Sequence, residues 1–240
     1  MRILVTGAAG AVGTAVVKGM KDRYSLRGFD RVPMPDIEDA IVGDVTDFDI
    51  VLRATQDMEA VIHLAGNPSG GAPWEDILQN NIIGTYNVFE AARQNGVRRI
   101  AFASRAGLLA PYPKDIMRTV DMPPRPETYY SISKVFGENL GYMYSARFDM
   151  EFVSVRIGNF KRDRDLPDHP HQLSHSDAAH VFEQAVTSPL NPPASGGKRG
   201  VKFEVVFGVS DSTWALYDLD HGRQVIDYHP QDKSDAEPEV

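Results

Sequence analysis

A tyrosine and a lysine stand one helical turn apart near the middle of the chain, at the two ends of the stretch Tyr-Ser-Ile-Ser-Lys that begins at Tyr130. Residues four apart on a helix lie on the same face. A tyrosine with an ordinary pKa of about 10 is a poor base near neutral pH, but a lysine cation beside it favours the phenolate and lowers that pKa. Tyr130 and Lys134 are therefore candidate catalytic residues, a pair able to take a proton from a substrate hydroxyl group.

A glycine-rich turn at the start of the chain indicates what such a base would work with. A short apolar run leads directly into Gly7, Gly10 and Gly13, and a helical pattern follows. In a strand–turn–helix unit the first glycine permits the tight turn, the second lets a diphosphate approach the backbone, and the third lets helix and strand pack closely. The helix N-terminus then offers free N–H groups to the phosphates. The predicted dinucleotide-binding loop also includes Ala9, Ala11 and Val12.

Asp30 follows the second apolar run and bears on which dinucleotide binds. A carboxylate at the end of that strand accepts a hydrogen bond from the 2′-hydroxyl of the adenosine ribose and repels a 2′-phosphate. Arg31 would favour the phosphate, but Asp30 is better aimed, so we predict NAD rather than NADP. With NAD bound, the Tyr130 base can act while hydride leaves the adjacent carbon for the nicotinamide. Asp44 suits an adenine contact or, equally well, a loop carboxylate that caps the next helix.

These residues need elements that hold them, and short apolar runs alternate with longer helical patterns along the chain. Such alternation predicts an α/β fold, a doubly wound parallel sheet of the Rossmann type with a small C-terminal substrate-binding region. The predicted strands are Ile3–Thr6, Ser25–Phe29, Asp39–Val42, Ala60–Leu64, Arg99–Ala103, Phe152–Ile157 and Phe203–Val209. The predicted helices are Ala11–Lys21, Asp47–Ala54, Trp74 to about Asn95, about Thr128 to Ala146, and about Ser174 to Thr187.

We expect these elements to form one domain over residues 1–240. The dinucleotide-binding core is expected in 1–158, and mostly substrate-side elements with the last strand in 159–240. Pro189–Gly200 is rich in proline and glycine and is expected to form a loop before that strand. The tail after Tyr228 is polar and acidic and is expected to be partly disordered.

The composition is that of an ordinary soluble protein and argues against several function classes. The 240 residues are 42% hydrophobic and 24% charged, with a net charge of −8 that opposes binding to nucleic acid. No apolar run is long enough for a membrane helix and no signal peptide precedes the first strand, so we expect a cytoplasmic protein with no membrane partner. There is no cysteine, and hence no thiolate site. His169, His171, His175 and His180 are better explained as solvent-facing or capping residues than as metal ligands, because no carboxylate is well placed with them.

Taken together, these motifs resemble the extended short-chain dehydrogenases/reductases, in the NAD-dependent epimerase/dehydratase branch, and the likeness covers nearly the whole chain. Within that branch the sequence is similar to uronate dehydrogenases and to archaeal NAD-dependent glucose-6-phosphate dehydrogenases. The stretches that carry the branch resemblance are Thr6–Gly13, Asp44, His63–Gly66, Asn81–Asn87, Phe102–Ser104, Tyr130–Lys134 and Val155–Asn159. Those that carry the narrower likeness are Ala72–Trp74, Asn80–Ile82, Gly137–Leu140, Ser174–Asp177 and Tyr228–Asp232.

The resemblance implies roles for further residues. The implied cofactor-binding residues are Val45, Leu64, Ala65, Gly66, Asn81 and Ile157, of which Asn81 would order the helix beneath the site. The residues implied to border a small-molecule sugar substrate are Asn67, Pro68, Ser69 and Asn159. Two of these have plainer explanations, because Asn81 could cap a helical kink and Ser69 could belong to a flexible loop.

The chain departs from the family at its third catalytic position, a serine just beyond strand five that hydrogen-bonds the reacting oxygen. The family phrase Phe-Ala-Ser-Ser reads Phe-Ala-Ser-Arg here, so the catalytic slot falls on Arg105 and Ser104 is the remaining serine. Ala106 and Gly107 replace two polar residues that would hold a sugar. If Arg105 enters the pocket it should bind an anionic substrate and lower the pKa of Tyr130 further. We favour the alternative, in which Arg105 turns out to solvent and leaves the slot empty.

Three functions stay open. The first is an NAD-dependent oxidoreductase acting on a hydroxyl group of a small sugar, sugar acid or sugar phosphate. The second is an epimerase or dehydratase that uses NAD transiently. The third is a dinucleotide-binding protein whose catalysis is weakened or lost, which the identity of Arg105 supports.

The two longest predicted helices also suggest a homodimer. The helix from about Thr128 to Ala146 is apolar nearly all round, and one covered side would leave apolar surface in water. The resemblance implies that this helix and the one that begins at Trp74, taken from each of two subunits, form a four-helix bundle. The alternative is that the sheet and neighbouring loops cover both of their faces.

Overall fold

The computed structural model describes residues 1–167, 169–190 and 200–237, and a seven-stranded sheet is its centre. The strands are β1 (Arg2–Thr6), β2 (Ser25–Asp30), β3 (Asp39–Val42), β4 (Ala60–His63), β5 (Arg99–Arg105), β6 (Glu151–Ile157) and β7 (Phe203–Gly208). Their spatial order is β3-β2-β1-β4-β5-β6-β7, and every neighbouring pair is parallel. The order reverses between β1 and β4, the point at which sheets of this kind bind ligands beyond the carboxyl ends of their strands. The predicted doubly wound parallel sheet is confirmed.

Helices cover both faces of this sheet. They are α1 (Ala11–Met20), α2 (Phe48–Ala54), α3 (Trp74–Ile77), α4 (Gly84–Gln94), α5 (Tyr129–Phe148), α6 (His175–Thr187) and α7 (Asp220–Ile226), with a π-helical segment at Leu78–Ile83 and a 3₁₀ turn at Ala106–Leu109. Two short strands, β8 (Asp211–Ser212) and β9 (Lys233–Ser234), form a separate parallel pair. Among the described helices, none is long and apolar enough to cross a membrane.

Alternate residues of the strands belong to two different cores. Ile3 and Val5 of β1 pack with α1 and α6 on one face. Leu4, between them, packs with α2, α4 and α5 on the other. Because both faces are buried, the strands read as continuous apolar runs instead of alternating ones.

All seven predicted strands are confirmed, with ends that shift by two residues at most. The predicted helices are confirmed too, except that the long helix from Trp74 consists of α3, the π-helical segment and α4 in succession. The sequence did not predict α7, the 3₁₀ turn, β8 or β9. Strand β5 continues through Arg105, so the catalytic slot lies at the end of a strand and not in a loop.

The C-terminal segments are tied to the start of α6. Ser174 caps that helix by accepting from the amide of Asp177. The amide of Gln231 donates to Asp177 at 2.7 Å, and Ser174 donates to the carboxylate of Asp232 at 2.6 Å. These bonds hold Gln231 and Asp232 of the tail against the start of α6. Residues 191–199 of the predicted Pro189–Gly200 loop, and 238–240 of the tail, lie outside the described residues.

Candidate active site

The glycine turn between β1 and α1 leaves a hollow that larger residues would fill. Gly7 has a φ of 70°, a left-handed conformation that favours glycine. A Cβ atom on Gly13 would collide with the carbonyl oxygen of Gly7, so α1 starts closer to the turn than any other residue type allows. Gly10 caps α1 without a side-chain bond, and no acidic residue stands in its first turn. No side chain neutralises the positive end of the helix dipole, so this end can attract an anion. The loop therefore fits the diphosphate of a dinucleotide.

Two cavities meet at this loop. A cleft of about 1030 Å³ runs past the ends of β4, β5 and β6, and a groove of about 290 Å³ lies on the β2 side. Among the predicted cofactor residues, the cleft is lined by Gly7, Gly10, Ala11, Val12, Gly13, Leu64, Gly66, Tyr130, Lys134 and Ile157. The groove is lined by Gly7, Ala9, Gly10, Asp30, Val45, Leu64, Ala65 and Gly66. Tyr130 and Asp30 thus stand at opposite ends of the space that a dinucleotide would take.

Asp30 ends β2 with its carboxylate against the glycine loop. One carboxylate oxygen accepts from the amide of Ala9 at 3.0 Å, and the other from the amide of Val32 at 3.4 Å. This places a negative charge at the groove end of the loop, where we predicted the adenosine ribose. The position of the Asp30 carboxylate is compatible with that prediction.

Asp30→Ser should narrow the preference for NAD over NADP by about tenfold, the scale of roughly 1.4 kcal/mol for one charge-assisted hydrogen bond. Calorimetric titration with both dinucleotides measures it. The control is Asp44→Ser, which removes a nearby carboxylate that does not line the groove and should leave the ratio unchanged. Equal or tighter binding of NADP by the unaltered chain would contradict the role given to Asp30.

Asp44 and Asn81 do not face the cavities as the sequence suggested. The Asp44 carboxylate accepts from the amide and hydroxyl of Thr46, both at 2.9 Å, and α2 is capped instead by Asp47. The Asn81 amide donates to the carbonyl oxygen of Asn67 at 3.1 Å and to Ser133 at 3.2 Å, and its oxygen accepts from the amide of Asn67 at 2.8 Å. Asn81 therefore orders the loop after β4 against α5, and the adenine contact of Asp44 stays a prediction.

Tyr130 and Lys134 face the cleft from the first turns of α5. The Lys134 Nζ lies 5.4 Å from the centroid of the Tyr130 ring. Burial and the nearby Arg105 cation lower the pKa of Lys134 to about 8. Burial raises the pKa of Tyr130 above its ordinary value of 10.0, and only the Arg105 charge opposes this rise. In the chain alone the pKa of Tyr130 is thus raised, contrary to the expected lowering, because loss of water around the phenol outweighs the charge of Arg105.

Ser104 lines the cleft, but its hydroxyl group is engaged in a buried hydrogen bond. Its hydroxyl group donates to Oε1 of Glu138 at 2.6 Å, and Ser104 is only 2% exposed. Glu138 in turn accepts two hydrogen bonds from the guanidinium of Arg156, both at 2.9 Å. The Ser104 hydroxyl is thus part of a buried polar network between β5, α5 and β6. A catalytic role for Ser104 stays a prediction, and in this structure its hydroxyl group is engaged by Glu138.

Arg105 enters the cleft. Its Nη1 donates to the hydroxyl oxygen of Ser131 at 3.0 Å, and its guanidinium carbon lies 5.3 Å from the centroid of the Tyr130 ring. The favoured expectation that Arg105 turns out to solvent is therefore wrong. The reason is Gly107, where a Cβ atom would collide with the guanidinium, so the glycine that replaces a polar family residue makes room for the arginine. The occurrence of Arg105 two residues before Gly107 was the feature of the sequence that could have indicated this direction of the side chain.

The substrate end of the cleft only partly matches the prediction. Asn67, Pro68 and Asn159 line it, whereas Ser69 accepts from the amide of Gly71 at 3.3 Å on the exposed surface. Lining residues that we did not predict as substrate contacts include Lys114, Arg118, Arg162, His169, His171, Tyr217 and Glu237. They come from loops with no strand or helix periodicity, so no pattern in the sequence pointed to them.

Three of these lining residues carry a positive charge, namely Lys114, Arg118 and Arg162, against one carboxylate, that of Glu237. Burial and the charges of His169, Arg118 and Lys114 lower the pKa of His171 to about 4. Arg105 adds a further cation beside Tyr130. Within the described part of the chain, no group of three His, Cys, Asp or Glu residues is placed to hold a metal ion. A positive cleft in a chain with a net charge of −8 suits an anionic small molecule.

Comparison with known proteins gives a consistent set of relatives. The family model described as "NAD dependent epimerase/dehydratase family" matches residues 3–188. The NAD-dependent glucose-6-phosphate dehydrogenase of Haloferax volcanii is 36% identical over 97% of this chain and 94% of its own length. The uronate dehydrogenase of Pseudomonas syringae pv. tomato is 33% identical, over 98% of this chain and 83% of its own.

Solved structures agree with these sequence relatives. Glucuronic acid dehydrogenase from Chromohalobacter salexigens has a TM-score of 0.84 at 36% identity, covering 98% of this chain and 85% of that one. A mutant of uronate dehydrogenase from Agrobacterium tumefaciens, complexed with NAD, has a TM-score of 0.84 at 31% identity, covering 97% and 85%.

Proposed function

The chain belongs to the NAD dependent epimerase/dehydratase family, with NAD as its cofactor, and we propose that it is a dehydrogenase that oxidises a hydroxyl group of a small sugar acid or sugar phosphate. The observation that carries the proposal is the placing of Tyr130, Lys134 and Arg105 together in one cleft that the glycine loop also lines. The relatives that match most of the chain are dehydrogenases of a sugar phosphate and of uronates, which supports the same reading.

Tyr130 supplies the base in the proposed reaction. As a phenolate it takes the proton of the substrate hydroxyl group, and the carbonyl forms as the C–H electron pair leaves as hydride. Bound NAD supplies the hydride acceptor. Arg105, 5.3 Å from the Tyr130 ring centroid, stabilises the phenolate as a cation, and the Lys134 Nζ lies 5.4 Å from the same centroid.

Arg105 takes over the position of the family's serine in this proposal. A serine hydroxyl both donates and accepts, whereas a guanidinium only donates and is permanently charged. Arg105 can therefore donate to the reacting oxygen, and it can bind a carboxylate or phosphate in two-point fashion. Sugar anions fit this cleft better than neutral sugars for that reason.

Absorbance of NADH during incubation with a panel of sugars tests the proposal. The panel holds uronates, sugar phosphates and the matching neutral sugars, and NADH should accumulate fastest with an anionic member. An epimerase would instead invert a substrate without net NADH, and a protein without catalysis would give neither. Either of those results would contradict the dehydrogenase.

Arg105→Ser should shift the pH profile of kcat/KM to higher pH and raise KM for the anionic substrate by about 10- to 100-fold. The phenolate is the reactive form, so the rate rises with pH through the pKa of Tyr130. The Arg105 charge lowers the pKa of Tyr130, so its removal should raise that pKa and move the rise of kcat/KM to more alkaline pH. Arg105→Lys, which keeps a positive charge, should shift the profile less. A faster reaction in Arg105→Ser would show that the arginine blocks catalysis.

We also propose a homodimer built on α3, α4 and α5. Large apolar side chains stay exposed on these helices, namely Trp74, Tyr86, Tyr129, Ile132, Tyr142 and Phe148. The rings of Trp74 and Tyr129 lie 5.5 Å apart, so exposed apolar residues of α3 and α5 adjoin. Light scattering at micromolar concentration should give twice the chain mass, and Ile132→Glu should shift it toward the monomer. A monomeric unaltered chain would contradict the dimer.

A further inference from the structure

Arg162 reaches over the glycine loop from the segment that follows β6. Its Nη2 donates a hydrogen bond to the carbonyl oxygen of Ala9 at 2.8 Å, although 153 residues separate the two. Five described residues line both the cleft and the groove, namely Gly7, Gly10, Leu64, Gly66 and Arg162. Arg162 is the one charged residue among them, so it lies where the two cavities meet.

The glycine loop by itself offers an anion only partial charges. Residues 6–14 contain no lysine or arginine, and the carboxylate of Asp30 accepts from the amide of Ala9. The diphosphate of a dinucleotide brings full negative charges to this point. A guanidinium has five N–H donors and pairs readily with phosphate oxygens. Arg162 uses one of these donors in its hydrogen bond to the carbonyl oxygen of Ala9. Arg162 therefore supplies the full positive charge that the loop lacks.

The segment that carries Arg162 is fixed by the start of α6. His175 donates from Nε2 to the carbonyl oxygen of Lys161 at 2.7 Å, and its backbone amide donates to Asp165 at 2.7 Å. Its ring also packs on Phe160, with 5.0 Å between centroids. The proposed reaction gives His175 no part, and these contacts assign it a role as a positioning residue for Arg162.

We propose that Arg162 binds the diphosphate of NAD and so closes the segment after β6 over the cofactor. The proposal rests on NAD as the cofactor and is independent of which sugar is oxidised. The diphosphate is favoured over an adenosine 2′-phosphate as the ligand of Arg162, because Arg162 lines both cavities together with Gly7 and Gly10. Asp30, by contrast, stands at the ribose end of the groove.

Calorimetric titration with NAD, ADP-ribose and NADP tests the proposal. Arg162→Gln should lower the affinities for NAD and for ADP-ribose by the same factor, about tenfold for one exposed charge-assisted contact. The ratio of the affinities for NAD and NADP should stay unchanged. Because the lost contact is ionic and exposed, the affinity of the variant for NAD should also fall less steeply with added salt. His175→Ala should lower the affinities for NAD and for ADP-ribose equally, but by a smaller factor than Arg162→Gln does.

Arg164→Gln is the matched control, because Arg164 is exposed in the same segment and lines neither cavity. It should bind all three ligands like the unaltered chain, and thermal unfolding should show both arginine variants to be equally folded. Equal affinity of Arg162→Gln and Arg164→Gln for ADP-ribose would overturn the proposal. So would a loss confined to NADP, which would assign Arg162 to the 2′-phosphate. No titration contains the sugar substrate, so its result can be interpreted even if the proposed dehydrogenase activity is not found.

Discussion

Tyr130→Phe should lower kcat by about 10²- to 10⁴-fold, the range that general acid–base groups contribute, and leave the affinity for NAD unchanged. The substitution removes only the hydroxyl oxygen that takes the substrate proton. The ring and its place between Lys134 and Arg105 remain. The initial rate of NADH formation from the best substrate of the sugar panel measures the loss, and calorimetry measures the binding of NAD.

Tyr129→Phe is the control for this experiment. Tyr129 is the preceding residue, begins the same helix and is 51% exposed, so the same hydroxyl is lost outside the cleft. Its kcat should stay within a factor of a few of the unaltered value. A Tyr130→Phe variant as active as Tyr129→Phe would remove Tyr130 as the base and mean that another group or water takes the substrate proton.

The fold was predictable where its signals are local in the sequence. Each strand is a continuous apolar run, and the glycine turn stands directly between β1 and α1, so periodicity and turn chemistry were sufficient. The π-helical segment was not predictable. Its apolar residues keep a helical period, and the segment contains Asn81, which bonds to Asn67 and Ser133 across the fold. Helix α7 has seven residues with a glycine inside, too short and too weak for a pattern.

The candidate site divides in the same way. The predicted cofactor half rests on neighbouring residues of the glycine loop, so its signal is local in the sequence. The direction of Arg105 depends on Ser131, 26 residues further on, and on the space left by Gly107. The reach of Arg162 to Ala9 spans 153 residues. Contacts of this kind depend on how several elements pack together. A single sequence does not indicate which distant residues will be in contact.

The buried pair of Glu138 and Arg156 was missed for this reason, and the stability of the chain should depend on it strongly. Glu138 lies one turn after Lys134 on α5 and is 5% exposed, and Arg156 on β6 is 3% exposed. Arg156 also donates to the carbonyl oxygen of Val120 at 3.2 Å, which ties the substrate-side loop to the same pair. A buried charge that loses its partner keeps its desolvation cost without the compensating attraction.

Glu138→Leu should therefore lower the free energy of unfolding by about 3–5 kcal/mol, because it leaves the Arg156 guanidinium buried and unpaired. Urea denaturation, with all variants at one protein concentration, measures the change. Ser104→Ala removes the third member of the network without stranding a charge and should cost only about 1 kcal/mol. Adding Arg156→Met to Glu138→Leu should restore part of the loss, since no buried charge then remains. A double variant less stable than Glu138→Leu alone would mean that Arg156 acts mainly by holding Val120, and that the ion pair itself contributes little.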